Sequence, residues 1–150
     1  MYCSPVNELA CPSTSGVTAQ LLRTAEKVER ALEKALGEIG LSSGKLILLG
    51  GLVQAGGQLS LGELAAHRSC VKSNITKLVD RLEEDGLVRR RDDPADRRGV
   101  LAEITPEGRS RQAEGDHAAR RIEDELTRGL TVEDIAHLRR VLGELAARSG

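Results

Sequence analysis

The sequence predicts a mainly helical fold with one small β-hairpin, and three observations carry this prediction. Apolar residues recur at three- and four-residue spacing over most of the chain, as they do in amphipathic helices. Residues that cap helices stand at the start of several of these stretches. Between positions 87 and 104, an apolar pair runs into three arginines, an Asp- and Pro-containing turn follows, and apolar and polar residues alternate over 100–104, which is typical of a hairpin.

The two ends of the chain are predicted to form long helices. Residues 1–16 are predicted to be a mobile arm, since they hold two prolines and a cluster of Ser, Thr and Gly. A helix over 17–40 carries a nearly heptad apolar stripe, so one side of it is available to a partner chain. Residues 106–147 are predicted to form two helices, and 148–150 a tail. The last helix is expected to bury five apolar residues: Ile135, Leu138, Val141, Leu142 and Leu145.

The middle segment, residues 41–105, is predicted to hold a helix–turn–helix unit followed by the hairpin. Its first helix, from Lys45 to about Ala55, is apolar almost all round and is therefore expected to be central and buried. The pair Gly50–Gly51 inside that helix indicates either a close approach by a neighbour or ligand, or a tolerated packing site. Further helices are predicted over 61–67, opened by a capping box, and over about 70–85.

Composition restricts the class of protein. The chain has a net charge of −1 and a single aromatic residue, Tyr2, so its core is built from aliphatic side chains. No apolar run approaches the roughly 18 residues that a membrane span needs, and the N-terminus does not resemble a secretory signal, so a cytoplasmic location is expected. Cysteine occurs three times, at Cys3, Cys11 and Cys70, with no zinc-like spacing. No cofactor is expected.

Basic residues concentrate in two segments that suit a DNA duplex. The outward face of the helix over 70–85 carries Lys72, Ser73, Asn74, Thr76 and Lys77, and the hairpin carries Arg89, Arg90, Arg91, Arg97 and Arg98. A helix with such side chains fits the major groove, and hairpin arginines suit the flanking minor groove. Residues 89–91 are expected at phosphates, and Asp96 is expected to orient Arg98 and fix the turn. The alternatives are a solvated helix face and a salt-bridged turn.

These segments together resemble the MarR (multiple antibiotic resistance regulator) family of winged helix-turn-helix proteins over residues 17–147. The motifs that carry the resemblance are Leu78-Val79-Asp80-Arg81-Leu82, Gly86-Leu87-Val88, and Asp96-x-Arg98 with Ile104-Thr105 and Gly108. The resemblance implies a homodimer with intertwined terminal helices over 17–40 and 106–147, which binds a pseudo-palindromic operator through a winged helix-turn-helix over 41–105. It also implies a repressor that leaves DNA when a small anionic or phenolic effector binds, or when a cysteine is oxidised.

The signal that releases DNA remains open between a small molecule and a thiol. An effector is expected between the terminal helices and the DNA-binding lobe, with Leu22, Leu48 and Leu52 as candidate lining residues. Cys70 either packs as a small apolar side chain or acts as a redox-sensitive thiol at a helix start. Cys11 lies roughly where thiol-sensing members of the family carry their reactive cysteine.

Two other functions compete with a sequence-specific double-stranded DNA-binding repressor. A peroxide-reducing thiol enzyme would use Cys11 or Cys70, but no resolving-cysteine spacing supports it. A winged helix that binds only proteins would tolerate loss of the basic residues. No metal site is expected, because the carboxylates of the hairpin lie among arginines and the three histidines are isolated along the chain. The chain is therefore not expected to be an enzyme.

Overall fold

The computed structural model describes residues 16–67 and 75–148, which form a mainly helical fold with a small antiparallel sheet. The elements, in chain order, are α1 (Val17–Gly37), α2 (Ser43–Gln54), β1 (Gln58–Ser60), α3 (Leu61–His67), α4 (Ile75–Glu84), β2 (Val88–Asp93), β3 (Asp96–Ile104), α5 (Pro106–Leu126) and α6 (Val132–Arg148). The strand order in the sheet is β1-β3-β2. The predicted fold class is confirmed. Within the described ranges, no helix has both the length and the apolar character of a membrane span.

Three predicted helix starts are confirmed by their capping hydrogen bonds, whereas the predicted start near Cys70 lies outside the described residues. The Ser42 hydroxyl accepts from the Lys45 amide at 3.3 Å, and the Thr105 hydroxyl accepts from the Gly108 amide at 3.0 Å. Ser60 and Glu63 form the reciprocal capping box, with amide-to-side-chain distances of 3.1 and 2.9 Å. Such caps satisfy amide groups that have no partner inside the helix. Because they depend on residues only three apart, they can be predicted from sequence.

Helix α2 lies at the centre of the core. Its Leu46, Leu48, Leu49 and Leu52 are buried, and they belong to the same apolar cluster as side chains of α4 and the sheet. The prediction of a central buried helix is wrong at Ile47, which is 52% exposed. One side of α2 therefore remains open to a cleft.

The hairpin has the predicted alternation. Val88 pairs with Ile104 and Arg90 with Ala102, which places the buried Val88, Ala102 and Ile104 on one face of the sheet. Strand β3 starts at Asp96, four residues earlier than the predicted strand over 100–104. The three-residue strand β1 was not predicted, because it is too short to show a period and it forms by pairing with β3.

The prediction for the last helix is wrong within the single chain. None of the residues of α6 is buried, and Leu138 and Leu142 are 45% and 40% exposed. Helix α6 meets α5 through an ion pair between Arg139 and Glu123, at 3.1 Å. The apolar stripe is present as predicted, but within the described chain its residues are exposed or at most half-buried.

Replacement of two helical glycines by alanine should change the free energy of unfolding in opposite directions. A methyl group at Gly108 would overlap with the backbone carbonyl of Leu87, whereas one at Gly51 would meet nothing within 4 Å. We expect Gly108→Ala to lower the free energy of unfolding by about 1–3 kcal/mol. Gly51→Ala should raise it by up to about 1 kcal/mol, because alanine favours helix. Urea unfolding at a fixed protein concentration measures both, and equal effects of the two changes would contradict this packing.

Candidate nucleic-acid interface

The outward face of α4 carries polar and basic side chains over a buried apolar face. Thr76 and Lys77 are exposed, while Ile75, Val79 and Leu82 are buried. Lys72, Ser73 and Asn74 lie outside the described residues. Arg81, one turn beyond Lys77, is also exposed and was not among the predicted contact residues. The four-residue spacing from Lys77 is the signal that could have identified it.

Arg90 fastens the wing (β2, β3 and their turn) to α4. Its guanidinium donates to the carboxylates of Asp80 and Glu83, and its backbone amide donates to Glu83 at 3.1 Å. The hydrogen bond from the Arg90 backbone is the largest cause that lowers the pKa of Glu83. With 27% of its side chain exposed, Arg90 points at the helix. Its contacts therefore favour a positioning role over the predicted phosphate contact.

Arg89 and Arg91 share one carboxylate on the outer face of the wing. Arg89 binds Glu103 through two hydrogen bonds of 2.9 and 3.0 Å, and Arg91 approaches the same carboxylate at 2.8 Å. Hydrogen bonding to Arg89 is the main cause that lowers the pKa of Glu103. Two guanidinium groups against one carboxylate leave a net positive charge. A phosphate that bound here would compete with Glu103.

The turn of the wing is held by side-chain-to-backbone hydrogen bonds. Asp93 accepts from the Ala95 amide at 2.8 Å, and Asp96 accepts from the Arg98 amide at 2.9 Å. Asp96 thus acts on the backbone of Arg98, in the local pattern that aspartates use in turns. The Arg98 side chain is exposed, and none of the ion pairs among the described residues involves it. The side chain of Arg97 lies outside the described part.

Thr105 and Gly108, which belong to the sequence motif given above, hold the base of the wing against the end of α4. The Thr105 hydroxyl donates to the Gly86 carbonyl at 2.7 Å, and the Thr105 amide donates to the Leu87 carbonyl at 3.0 Å. Gly108 lies against the same Leu87 carbonyl, where no larger residue fits. Thr105 and Gly86, 19 positions apart in sequence, therefore help to fix where the wing leaves α4.

A cleft of about 550 Å³ lies beside the open side of α2, between that helix and residues of α3, α4 and α5. Of the predicted effector-pocket residues, Leu48 lines this cleft. Leu52 is instead fully buried in the core, and Leu22 is 66% exposed on α1. Gly50 and Gly51 also line the cleft, and a methyl group at either would meet nothing within 4 Å. These glycines border open space, so a close approach by a neighbouring element within the described chain does not explain them.

The structure does not test the predicted redox cysteines, but it does describe the carboxylates that could have suggested a metal site. Cys11 and Cys70, together with Cys3, lie outside the described residues, so the thiol hypotheses stay predictions. The carboxylates that could have suggested a metal are engaged otherwise: Asp93 and Asp96 accept backbone amides, and Glu103 binds arginines. Over residues 16–67 and 75–148, no three His, Cys, Asp or Glu side chains converge in a way that could hold a metal ion.

Comparison with known sequences identifies the same segment. A model of the MarR family matches residues 45–100. The chain is 37% identical over 92 residues to the HTH-type transcriptional repressor YetL of Bacillus subtilis (strain 168), a match over 61% of this chain and 55% of YetL. It is 29% identical over 122 residues to the HTH-type transcriptional repressor IacR of Pseudomonas putida, a match over 81% of this chain and 72% of IacR. The match thus spans about half the length of YetL and more of IacR.

Solved structures share the fold over nearly the whole chain. A MarR-family transcriptional regulator from Rhodococcus sp. RHA1 is 27% identical with a TM-score of 0.75, covering 93% of this chain and 96% of that one. A mutant MarR from E. coli complexed with operator DNA is 23% identical with a TM-score of 0.78, covering 93% and 99%. The organohalide-sensing regulator RdhR in its 2,4-dichlorophenol-bound form is 18% identical with a TM-score of 0.82, covering 98% and 89%.

Acid should weaken the contact of Glu83 in α4 with the wing and the contacts of Glu103 within the wing. The pKa of Glu83 and of Glu103 is lowered from the ordinary 4.5 by arginine partners. A pKa depressed in the folded state gives stability that is present above about 4.5 and is lost as the pH falls through the folded-state value. Carboxyl NMR titration should therefore show both glutamates protonating below 4.5.

Arg90→Gln should raise the Glu83 pKa towards its ordinary value and leave Glu103 unchanged. The matched control is Arg128→Gln, at an exposed arginine between α5 and α6. An unchanged Glu83 pKa in Arg90→Gln would show that this contact does not form in solution.

Proposed function

Because this chain belongs to the MarR family of winged-helix regulators, we propose that it is a sequence-specific, double-stranded DNA-binding transcription repressor that acts as a homodimer. The observation that carries the proposal is a single joined unit of helix and wing. The exposed Lys77 face of α4 and the exposed Arg98 of the wing are tied together by Arg90. A helix and an arginine-bearing hairpin in fixed relation suit one major groove and the adjoining minor groove.

The distribution of charge supports a polyanionic partner. Lys77, Arg81 and Arg98 are exposed, and none of the ion pairs among the described residues involves them. The acidic residues nearby, such as Asp80 and Glu83, are held by Arg90 instead. Exposed cations without carboxylate partners are available to phosphates, and their binding releases counterions from DNA. The operator complex of the E. coli MarR mutant supports the same use of this fold.

The names of the curated relatives favour regulation over catalysis. YetL and IacR are named as transcriptional repressors. The peroxide-reducing alternative would use Cys11 or Cys70, which lie outside the described residues, so it rests on the sequence alone. The chain is therefore assigned to regulators and not to enzymes.

The homodimer is supported by apolar side chains that the single chain leaves uncovered. They are found on α1, at the end of α5, in the α5–α6 connection and in α6: Val17, Leu21, Leu22, Leu126, Leu130, Val132, Leu138 and Leu142. Covering one such side chain contributes about 1.5–3 kcal/mol. A second copy presents the same stripes, so each chain can bury the other's terminal helices in a symmetric interface.

Release by a small molecule is supported by the cleft beside α2. Its volume of about 550 Å³ suits a ligand of drug-like size. The structural neighbour RdhR was solved with 2,4-dichlorophenol bound. A ligand that prefers a dimer whose two wings are wrongly spaced for DNA would lower the population that binds the operator. Cysteine oxidation is the alternative trigger, and peroxide followed by reductant in the DNA-binding assay distinguishes the two.

Arg98→Ala should weaken DNA binding without changing sequence preference. Loss of one arginine–phosphate or minor-groove contact should reduce the slope of log affinity against log salt by about 1. A gel shift on DNA from upstream of the chain's own gene, at several salt concentrations, measures this. Arg128→Ala is the matched control, since Arg128 is exposed and lies away from the wing. Absence of any specific shift by the unaltered protein would refute the proposed function.

Charges placed on the exposed stripe of α6 should separate the dimer. We expect the pair of changes Leu138→Lys and Leu142→Lys to halve the mass in solution, because lysine ammonium groups resist burial. Sedimentation velocity or light scattering measures the mass. Ala136→Lys adds a charge off the stripe and should leave the dimer intact. A monomeric unaltered protein, or a dimer that survives the double change, would contradict this interface.

A further inference from the structure

We infer that the cleft beside α2 takes a hydrophobic organic cation, and that Asp116 binds the cationic group. As a regulatory site, this inference rests on the proposed function and specifies the ligand of the same protein. It differs from the anionic or phenolic effector that the family resemblance implies. Three features of the cleft carry it: the apolar walls, the charge of its lining and a pair of glycines.

The walls of the cleft are aliphatic. Ile47 and Leu48 of α2, Leu59 of β1, Leu64 of α3 and Ile75 of α4 all line it. They offer apolar area from several elements to a ligand that enters between them. Because the whole chain has Tyr2 as its single aromatic residue, an aromatic ligand would pack here against aliphatic groups and not against a stack of rings.

The charge in the lining is negative. Asp116 of α5 is the charged residue among the described lining residues, where Gln54 is the other polar side chain. Asp116 is half-buried, and its Oδ2 accepts a hydrogen bond of 2.7 Å from the neutral amide of Gln112. No cationic side chain of the described residues forms an ion pair with it. An ammonium group beside apolar walls would provide the missing positive charge, and its hydrogen bond to a carboxylate is among the stronger ones.

The same charge disfavours an acid. A carboxylate or phenolate in the cleft would lie near Asp116, and like charges repel more strongly where water is partly excluded. The described lining residues include no Lys, Arg or His that would offset this repulsion. Of two ligands with equal shape, the cation should therefore bind more tightly than the anion.

The glycine pair keeps the cleft open at a cost to the helix. Gly50 and Gly51 each lower helix stability by roughly 1 kcal/mol relative to alanine. In the described structure no neighbouring atom requires either glycine, since a methyl group would meet nothing within 4 Å. Both border the cleft, and side chains there would project towards its volume. The absence of side chains lets a ligand lie against the backbone of α2.

The test compares three probes of one shape on the DNA-free protein: 4-phenylbutylamine, 4-phenylbutanol and 4-phenylbutyrate. Isothermal titration calorimetry should give the lowest Kd for the amine and the highest for the acid. Asp116→Asn should raise the Kd for the amine by about tenfold, the size of a lost charged hydrogen bond, and should leave the alcohol nearly unchanged. Asp124→Asn removes a charge from an exposed position on the same helix and should change none of the three values.

A second variant tests the volume of the cleft. Gly51→Leu should weaken binding of both the amine and the alcohol, while Gly37→Ala, at another helical glycine with open space, should not. Circular dichroism and thermal unfolding show whether each variant is folded. An acid that binds as tightly as the amine overturns the inference, and so does an amine that does not bind or that is insensitive to Asp116→Asn.

The DNA assay separates this inference from the proposed function. If the protein shifts its upstream DNA specifically but does not prefer the amine, the cation site fails and the regulator stands. If the amine binds through Asp116 but no specific DNA shift occurs, the cation site stands and the regulator fails. If both hold, the amine and not the acid should release DNA.

Discussion

Arg90 joins two elements that the rest of the interface depends on. Its guanidinium is held by Asp80 and Glu83 of α4, and its backbone amide is held by Glu83 as well. A helix and a hairpin that touch through one flexible contact would tilt independently, and each would bind DNA with a separate entropic cost. Two carboxylates on successive turns of the helix instead fix both the position and the direction of the strand. The base of the wing is closed further by the Thr105 hydrogen bonds to Gly86 and Leu87.

The acidic residues of α4 and the wing therefore hold arginines in place, which the net charge of the chain does not reveal. Glu103 sits across from Arg89 in the sheet and also meets Arg91, so it neutralises part of the wing's outer face. Among the described side chains of α4 and the wing, Lys77, Arg81 and Arg98 are exposed and have no such partner. An arginine's role thus depends on whether a carboxylate lies within reach of it. A prediction from the number of arginines alone therefore assigns DNA contacts to arginines that bind carboxylates of the protein instead.

The sequence predicted those features that depend on residues close together in the chain. Caps such as Ser42 and Thr105 act within three residues, and the alternation of Val100, Ala102 and Ile104 follows from the pleat of a strand. It could not predict which side of α2 is open, because a helix that is apolar all round has no amphipathic direction. Leu48 and Leu52 were therefore given the same expected role, yet one lines the cleft and the other is wholly buried. The partners of Arg90 were missed because they lie ten and seven positions away on another element.

The uncovered leucines of α6 bear on how the protein responds to its own abundance. In the proposed homodimer, dilution separates the two copies before it unfolds the helix and wing of either copy. At concentrations below the dimer dissociation constant, the number of pairs rises with the square of the number of chains. Operator occupancy then follows abundance more steeply than linearly, and a modest change in synthesis becomes a sharper change in repression. Because Leu138 and Leu142 would set the strength of dimerisation, they would also set the protein concentration at which repression begins.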